Sequence, residues 1–350
     1  MNLFAPIVPA SRWHPIFKML CHAENAPERG VLMAWARDFV DRDGKFVQEF
    51  QTTFESSFWE LYVHAALRDF GMTIDLSYDA PDFMVTAPQP LAVEATIAAP
   101  AQGSAPAFGP GPPVLPDDLN AYNADAILRL CNSIDAKMRR YRERYAQLAH
   151  VRDKPFVIAL APFDRPLPQL AANRPIVAAL YGLYFDEEAS IAGGCERLVR
   201  YPIDSVAKPS GAPVAAGLFA KPEYADLSAV LFSPVATWGK LRALASAPEA
   251  PALFTTLHPA PGRLLPEVRQ TLKCDYREHL LDGLYILHNP RATRPLDPRV
   301  FEHARVAQFV PDGSGGVYGT GPEDFLLMRS IIRLIPKKAA SAMLSHPTKG

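Results

Sequence analysis

Between residues 56 and 161 the spacing of apolar residues changes period in a fixed order, and that order leaves few folds open. From about Ser56 to Phe70, the residues Phe58, Leu61, Tyr62, Ala65, Ala66 and Leu67 share one helical face, and Gly71 is placed to cap the helix end. Three short extended runs follow, Thr73 to Tyr78, Phe83 to Thr86 and Leu91 to Thr96, with a turn at Pro88-Gln89-Pro90 between the last two. A long helix is expected from about Ala121 to Ala149, because Ile127, Leu130, Ile134, Met138, Tyr141, Tyr145 and Leu148 recur at three- and four-residue steps. Pro155 to Leu160 is a continuous apolar run, the pattern of a strand buried on both faces. Helix, three strands, helix, strand implies an α/β protein with a mixed central sheet flanked by helices, closed by a crossover into a parallel strand.

The flanking regions are less periodic. Residues 1–27 read as an irregular arm, and helical spacing runs from Glu28 to Asp41 before a stop near Asp43-Gly44. Beyond the core, helices are expected at Ile176 to Tyr184, Trp238 to Ser246 and Asp324 to Ile335, and strands at Leu227 to Phe232 and Leu284 to Leu287. The stretch 205–223 reads as a linker or as further sheet, and the tail from Lys337 as loose. Three regions result: 1–44, an arm and helix; 45–165, the core; and 166–350, an extension of the same domain.

Composition narrows the setting. Apolar residues make up 49% of the 350, enough for a large core, and a net charge of -1 excludes a surface that binds nucleic acid everywhere while leaving room for a local basic patch. The four cysteines have no metal-ligand spacing, which fits a reduced, cytoplasmic protein. No apolar run is long enough for a membrane span. The 35 prolines are spread along the chain, so rigid loops are expected between elements, including a long Pro/Gly-rich one at 97–118.

Chemistry concentrates on the core. Asp82 stands where one strand begins, and Glu94 lies near the end of the next. Alternation puts Glu94 and Thr96 on one face and Val93 and Ala95 on the other, so Glu94 is expected to face a cleft. Both acids have apolar neighbours, where an unpaired charge is costly and a shared cation removes the cost. Glu60, between Trp59 and Leu61 on the preceding helix, is a third acid. Gln51 and Thr53 are placed to cap that helix or to line the cleft, and capping is the expectation.

This arrangement resembles the PD-(D/E)xK, or restriction endonuclease-like, nuclease superfamily, over about residues 45–165. The resemblance implies a Mg²⁺ ion, or Mn²⁺, held by Asp82, Glu94 and the backbone carbonyl of Ala95. It implies phosphodiester hydrolysis on nucleic acid, DNA more than RNA, with Glu60 tuning the metal or its water and a homodimer where two strands are cut. The motif lysine belongs two residues after Glu94, where this chain has Thr96. In some members of the superfamily the lysine has moved to the following helix, and Lys137, between Ile134 and Met138, is its candidate here. Otherwise the site has lost catalysis, leaving a protein that binds nucleic acid or a protein partner. Arg139, Arg140, Arg142, Arg144, Arg152 and Lys154 form a basic face suited to a phosphate backbone. His288-Asn289-Pro290 and Gly313-Ser314-Gly315-Gly316 read as ordered turns without an assigned chemistry.

Overall fold

In the computed structural model, which describes residues 1–334 except 102, 105, 109–114 and 209, four helices precede the first strand: α1 (Pro15–Leu20), α2 (Ala26–Trp35), α3 (Phe46–Thr52) and α4 (Glu55–Asp69). The tail from Lys337 lies outside the described residues. The arm is therefore more helical than its sequence suggests. The helix expected to reach Asp41 stops at Trp35, and Asp38 adopts a positive φ of 63° that ends any helical path.

Helix α4 is apolar almost all round, from Phe58 to Leu67, because it is covered on both sides. The arm covers one side: Trp35 packs on Phe58 and Tyr62 at ring-centroid distances of 5.7 Å. The sheet covers the other, where the Trp59 indole donates to the Ala159 carbonyl at 2.9 Å. Gly71 ends the helix as expected. Its φ is +72°, its N–H bonds the Arg68 carbonyl (2.9 Å), and the Met72 N–H reaches back to Leu67 (3.1 Å). Gln51 and Thr53 do not cap α4. The buried Gln51 amide donates to the Leu3 and Ala5 carbonyls and accepts from Ile7, fastening the arm, and the Thr53 hydroxyl donates to its own helix at Glu49.

Eight strands form one sheet: β1 (Thr73–Asp75), β2 (Phe83–Ala87), β3 (Leu91–Ile97), β4 (Phe156–Ala161), β5 (Leu227–Phe232), β6 (Tyr285–His288), β7 (Ala307–Pro311) and β8 (Val317–Thr320). Their spatial order follows the chain, β1 to β8. β1, β2 and β3 are an antiparallel meander, β3, β4 and β5 run parallel, and β5 to β8 are mixed. Helix α5 (Leu119–Glu143) makes the crossover from β3 to β4, with the Asp118 carboxylate capping its first turn through the Ala121 N–H (2.8 Å). Its stripe from Ile127 to Tyr145 is buried, but the helix proper ends at Glu143 and Tyr145 sits on a following 3-10 turn. Pleating divides the core. Val93, Val157 and Ala159 join the α4 side, and Ala92, Phe156 and Ile158 join the α5 side.

The C-terminal half continues the same sheet and adds a three-stranded antiparallel one, in the order 267–272, 252–258, 328–333. The helix expected from Asp324 to Ile335 is instead the strand Met328–Arg333, because Ala252–Leu257 offers it a ladder and buried Arg329 bonds Glu278 at 2.5 Å. The Ile176–Tyr184 expectation is also trimmed: helix Arg174–Tyr181 ends at Gly182 (φ +69°), and a strand begins at Leu183. Stretch 205–223 holds a short hairpin, Ser205–Ala207 with Pro213–Ala215, so it is not a bare linker. Asn289 has a structural task. Its amide donates to the Tyr224 and Leu227 carbonyls, tying the loop after β6 to the start of β5.

Candidate functional site

The β2–β3 ladder closes at Phe83–Val93, and Asp82 takes over from there. Its Oδ2 accepts the Ala95 N–H at 2.7 Å, which anchors the carboxylate beside Glu94. Glu94 lies on the α5 side of β3 and is only 2% exposed. It faces no open cleft, because α5 and the turn after it cover this face. Lys137 Nζ donates to Glu94 Oε1 at 2.7 Å, the Tyr145 hydroxyl donates to the same oxygen at 3.1 Å, and an Arg140 nitrogen lies 3.9 Å away. The other oxygen, Oε2, is buried and has no hydrogen-bond partner among the described residues. A buried carboxylate oxygen without a donor is costly unless a cation or water completes it.

Glu60 comes from α4, on the other side of the sheet. Arg42, from the loop after α2, joins it to Asp82: one guanidinium nitrogen lies 3.8 Å from Glu60 and 3.9 Å from Asp82. The same arginine holds the Tyr78 carbonyl at 2.6 Å and so fixes the approach to Asp82. Burial and the negative charge of Asp82 push the Glu60 carboxyl up to about 8. Burial and the Glu94 charge push Asp82 up to about 7, against the pull of Lys137, the Ala95 N–H and Arg42. At neutral pH Glu60 largely keeps its proton and Asp82 is near its midpoint, so a cation would displace protons here. Burial and the Glu94 charge also raise the Tyr145 phenol, which keeps it a donor.

The structure thus brings Asp82, Glu94, Glu60 and Lys137 into one neighbourhood, with Ala95 as the anchor of Asp82. Thr96 is half-buried on the Glu94 face and has no charge to contribute. Two members escaped the sequence. Tyr145 carried a signal, since it ends the stripe that also positions Lys137. Arg42 carried none, being in an aperiodic loop. Of the basic face, Arg139 is paired with Asp135 and Arg142 with the Glu223 carbonyl, while Arg144 and Arg152 are exposed.

The three acids do not bring three carboxylate oxygens within 4.8 Å of one another. Among the described residues only Asp69, His279 and His303 meet that test. That second group is unsuited to a metal. Nδ1 of His279 accepts from Leu281 N–H and Nδ1 of His303 from Arg305 N–H, both at 3.2 Å, which puts the proton of each neutral ring on Nε2. In His279 that is the nitrogen 3.7 Å from Asp69. The fit at Asp82 and Glu94 is different. Two carboxylates, one with an orphan oxygen, suit Mg²⁺, which is bound by one or two carboxylates and keeps several waters. Comparison with protein-family models, curated proteins and solved structures finds none that matches this chain.

Proposed function

We propose that this chain is a Mg²⁺-dependent phosphodiesterase acting on nucleic acid, on a core of the restriction endonuclease-like kind. The observation that carries the reading is the pairing at Glu94. One oxygen holds a lysine from the next helix, the other is buried without a partner, and the residue where the motif lysine would stand is Thr96. Asp82, Glu94 and the Ala95 carbonyl would hold the ion. When bound, Mg²⁺ supplies Lewis acidity toward a phosphoryl oxygen and lowers the pKa of a water. Lys137 keeps a positive charge beside Glu94, where it offsets charge growing on a phosphate. Glu60, whose carboxyl is raised to about 8, would tune the metal or its water. Exposed Arg144 and Arg152 face solvent, where a nucleic acid backbone is within their reach.

Arg42 favours a second reading. A guanidinium between Glu60 and Asp82 occupies space that a cation would use, as expected of a descendant that binds nucleic acid or a protein partner without cutting. Incubating DNA and RNA substrates with Mg²⁺ or Mn²⁺ decides between them. Metal-dependent cutting by the native protein that disappears in Glu94→Ala supports hydrolysis, with DNA the first substrate expected. No cutting across metals and substrates sinks it in favour of the second reading.

A further inference from the structure

A cavity of about 1110 Å³ opens beyond the C-terminal ends of β3, β4 and β5, away from the acids. The segments leaving those strands line it: Phe108 after β3, Arg165 after β4 and Trp238 after β5. These strands are parallel, so the segments that leave them gather at one end of the sheet. None of Glu60, Asp82, Glu94 and Lys137 lines it. Its volume is just above the roughly 300–1,000 Å³ of small-molecule sites. That is room for an organic molecule of some size, far more than an ion requires.

Arginines are prominent in the wall, where Arg129, Arg165, Arg242, Arg329 and Arg333 lie with Asp125 and Asp164. Four of the arginines have a carboxylate partner: Arg165 pairs with Asp164, Arg242 with Glu28, Arg329 with Glu278 and Arg333 with Glu24. The fifth does not. Arg129, half-buried on α5, makes no hydrogen bond or ion pair with any described residue and meets only the longer-range charge of Asp164. The buried Nε–H of Arg329 has no hydrogen-bond acceptor among the described residues, while that of Arg242 faces Glu28 at 3.4 Å. The guanidinium of Arg129, without a partner in this wall, calls for an anion, and phosphate oxygens match the arginine fork. Flat surfaces accompany the arginines. Arg165 sits 4.8 Å over the Tyr122 ring and Arg242 5.3 Å over the Trp238 ring, and both rings are partly exposed. A purine or pyrimidine stacks on such an aromatic–guanidinium pair.

We propose that this cavity binds a nucleotide, with its phosphate at Arg129 and its base against Trp238 and Arg242. The site stands apart from the hydrolytic reading, since it shares no residue with the carboxylate cluster and needs no metal. The nucleotide is either a free molecule or the 5′-phosphorylated end of a strand.

The test is a titration of the full chain in EDTA with AMP, and separately with a short 5′-phosphorylated single-stranded DNA, following tryptophan fluorescence. Saturable binding at micromolar concentration is expected, weakened at least about tenfold by Arg129→Gln with an unchanged melting temperature. Tighter binding of AMP identifies a free nucleotide, and tighter binding of the oligonucleotide identifies a strand end. Lack of saturation by either probe at millimolar concentration overturns the proposal. So does equal binding by a folded Arg129→Gln variant. Inorganic phosphate competing as well as AMP overturns the nucleotide assignment. This arm uses the native protein and stands even where a variant fails to fold. Because EDTA removes divalent metal, a negative titration does not bear on hydrolysis, and a negative cleavage assay does not bear on this site.

Discussion

Replacing Lys137 with Met keeps an unbranched apolar stem along α5 and removes only the ammonium. The effect falls on Glu94, which is 2% exposed and already has one oxygen without a partner. A hydrogen bond to a charged group is worth about 1.5–3 kcal/mol, and removing one member of a fully buried ion pair costs about 3–5 kcal/mol. Lys137 retains 21% exposure, and Tyr145 and Arg140 remain beside the carboxylate, so the lower range applies. The expected loss is about 2–3 kcal/mol. With an unfolding entropy near 2.1 cal/mol/K per residue over 350 residues, that is a fall in Tm of about 3–4 °C. In a Glu94→Gln background the same change removes an ammonium with no charge opposite, and its expected cost is below about 1 kcal/mol, a coupling of about 1.5–2 kcal/mol. Urea unfolding of the four proteins in EDTA, followed by tryptophan fluorescence and far-UV circular dichroism, measures the cycle. Strict additivity of the two substitutions would refute a direct Lys137–Glu94 interaction.

Three further outcomes are expected. With Glu60 raised to about 8 and Asp82 to about 7, the folded chain holds more protons than the unfolded one above the ordinary carboxylate range. Their contribution to stability in EDTA is therefore full below the ordinary carboxylate range, falls steadily as pH rises above it, and is gone once pH passes about 7 to 8, while Mg²⁺ affinity climbs toward the upper end of that window. Calorimetry against pH checks both trends, and Glu60→Gln with Asp82→Asn flattens the stability profile. Gly283→Ala is expected to cost about 2–4 kcal/mol, because φ is +76° and the new Cβ would lie 2.1 Å from Val235 Cγ2; a melting temperature equal to native would contradict this. Trp59→Phe removes the indole N–H that donates to the Ala159 carbonyl and is expected to cost about 1 kcal/mol, read as a shift in urea midpoint without a change in slope.

The core was legible because its signals are local. β2 and β3 fall within a residue or two of their expected bounds, with a turn at Pro88-Gln89-Pro90, since a proline-bounded apolar run has few other uses. Glu94 and Thr96 share a face because the pleat requires it, and Lys137 reaches that face because the stripe of α5 fixes its rotation. What the sequence withheld depends on distant partners. Asp324 to Ile335 has helical spacing, yet residues 252–258, more than seventy positions upstream, supply the ladder that makes it a strand. Glu94 is covered by α5 instead of open to a cleft because the crossover helix lies directly on β3, a closeness that spacing does not encode. Gln51 looks like a cap until the arm from Leu3 to Ile7 is laid against it.

Strand order that matches chain order has a consequence for synthesis. Each strand of the large sheet docks on the edge left by its predecessor, so the sheet can be extended from one side while the chain is still emerging from the ribosome. Arg42, Glu60, Asp82, Glu94, Lys137 and Tyr145 all precede β4, which completes the crossover. The carboxylate cluster can be assembled before residues 227–320 exist, and those residues then close an edge that would otherwise be left to pair with other chains.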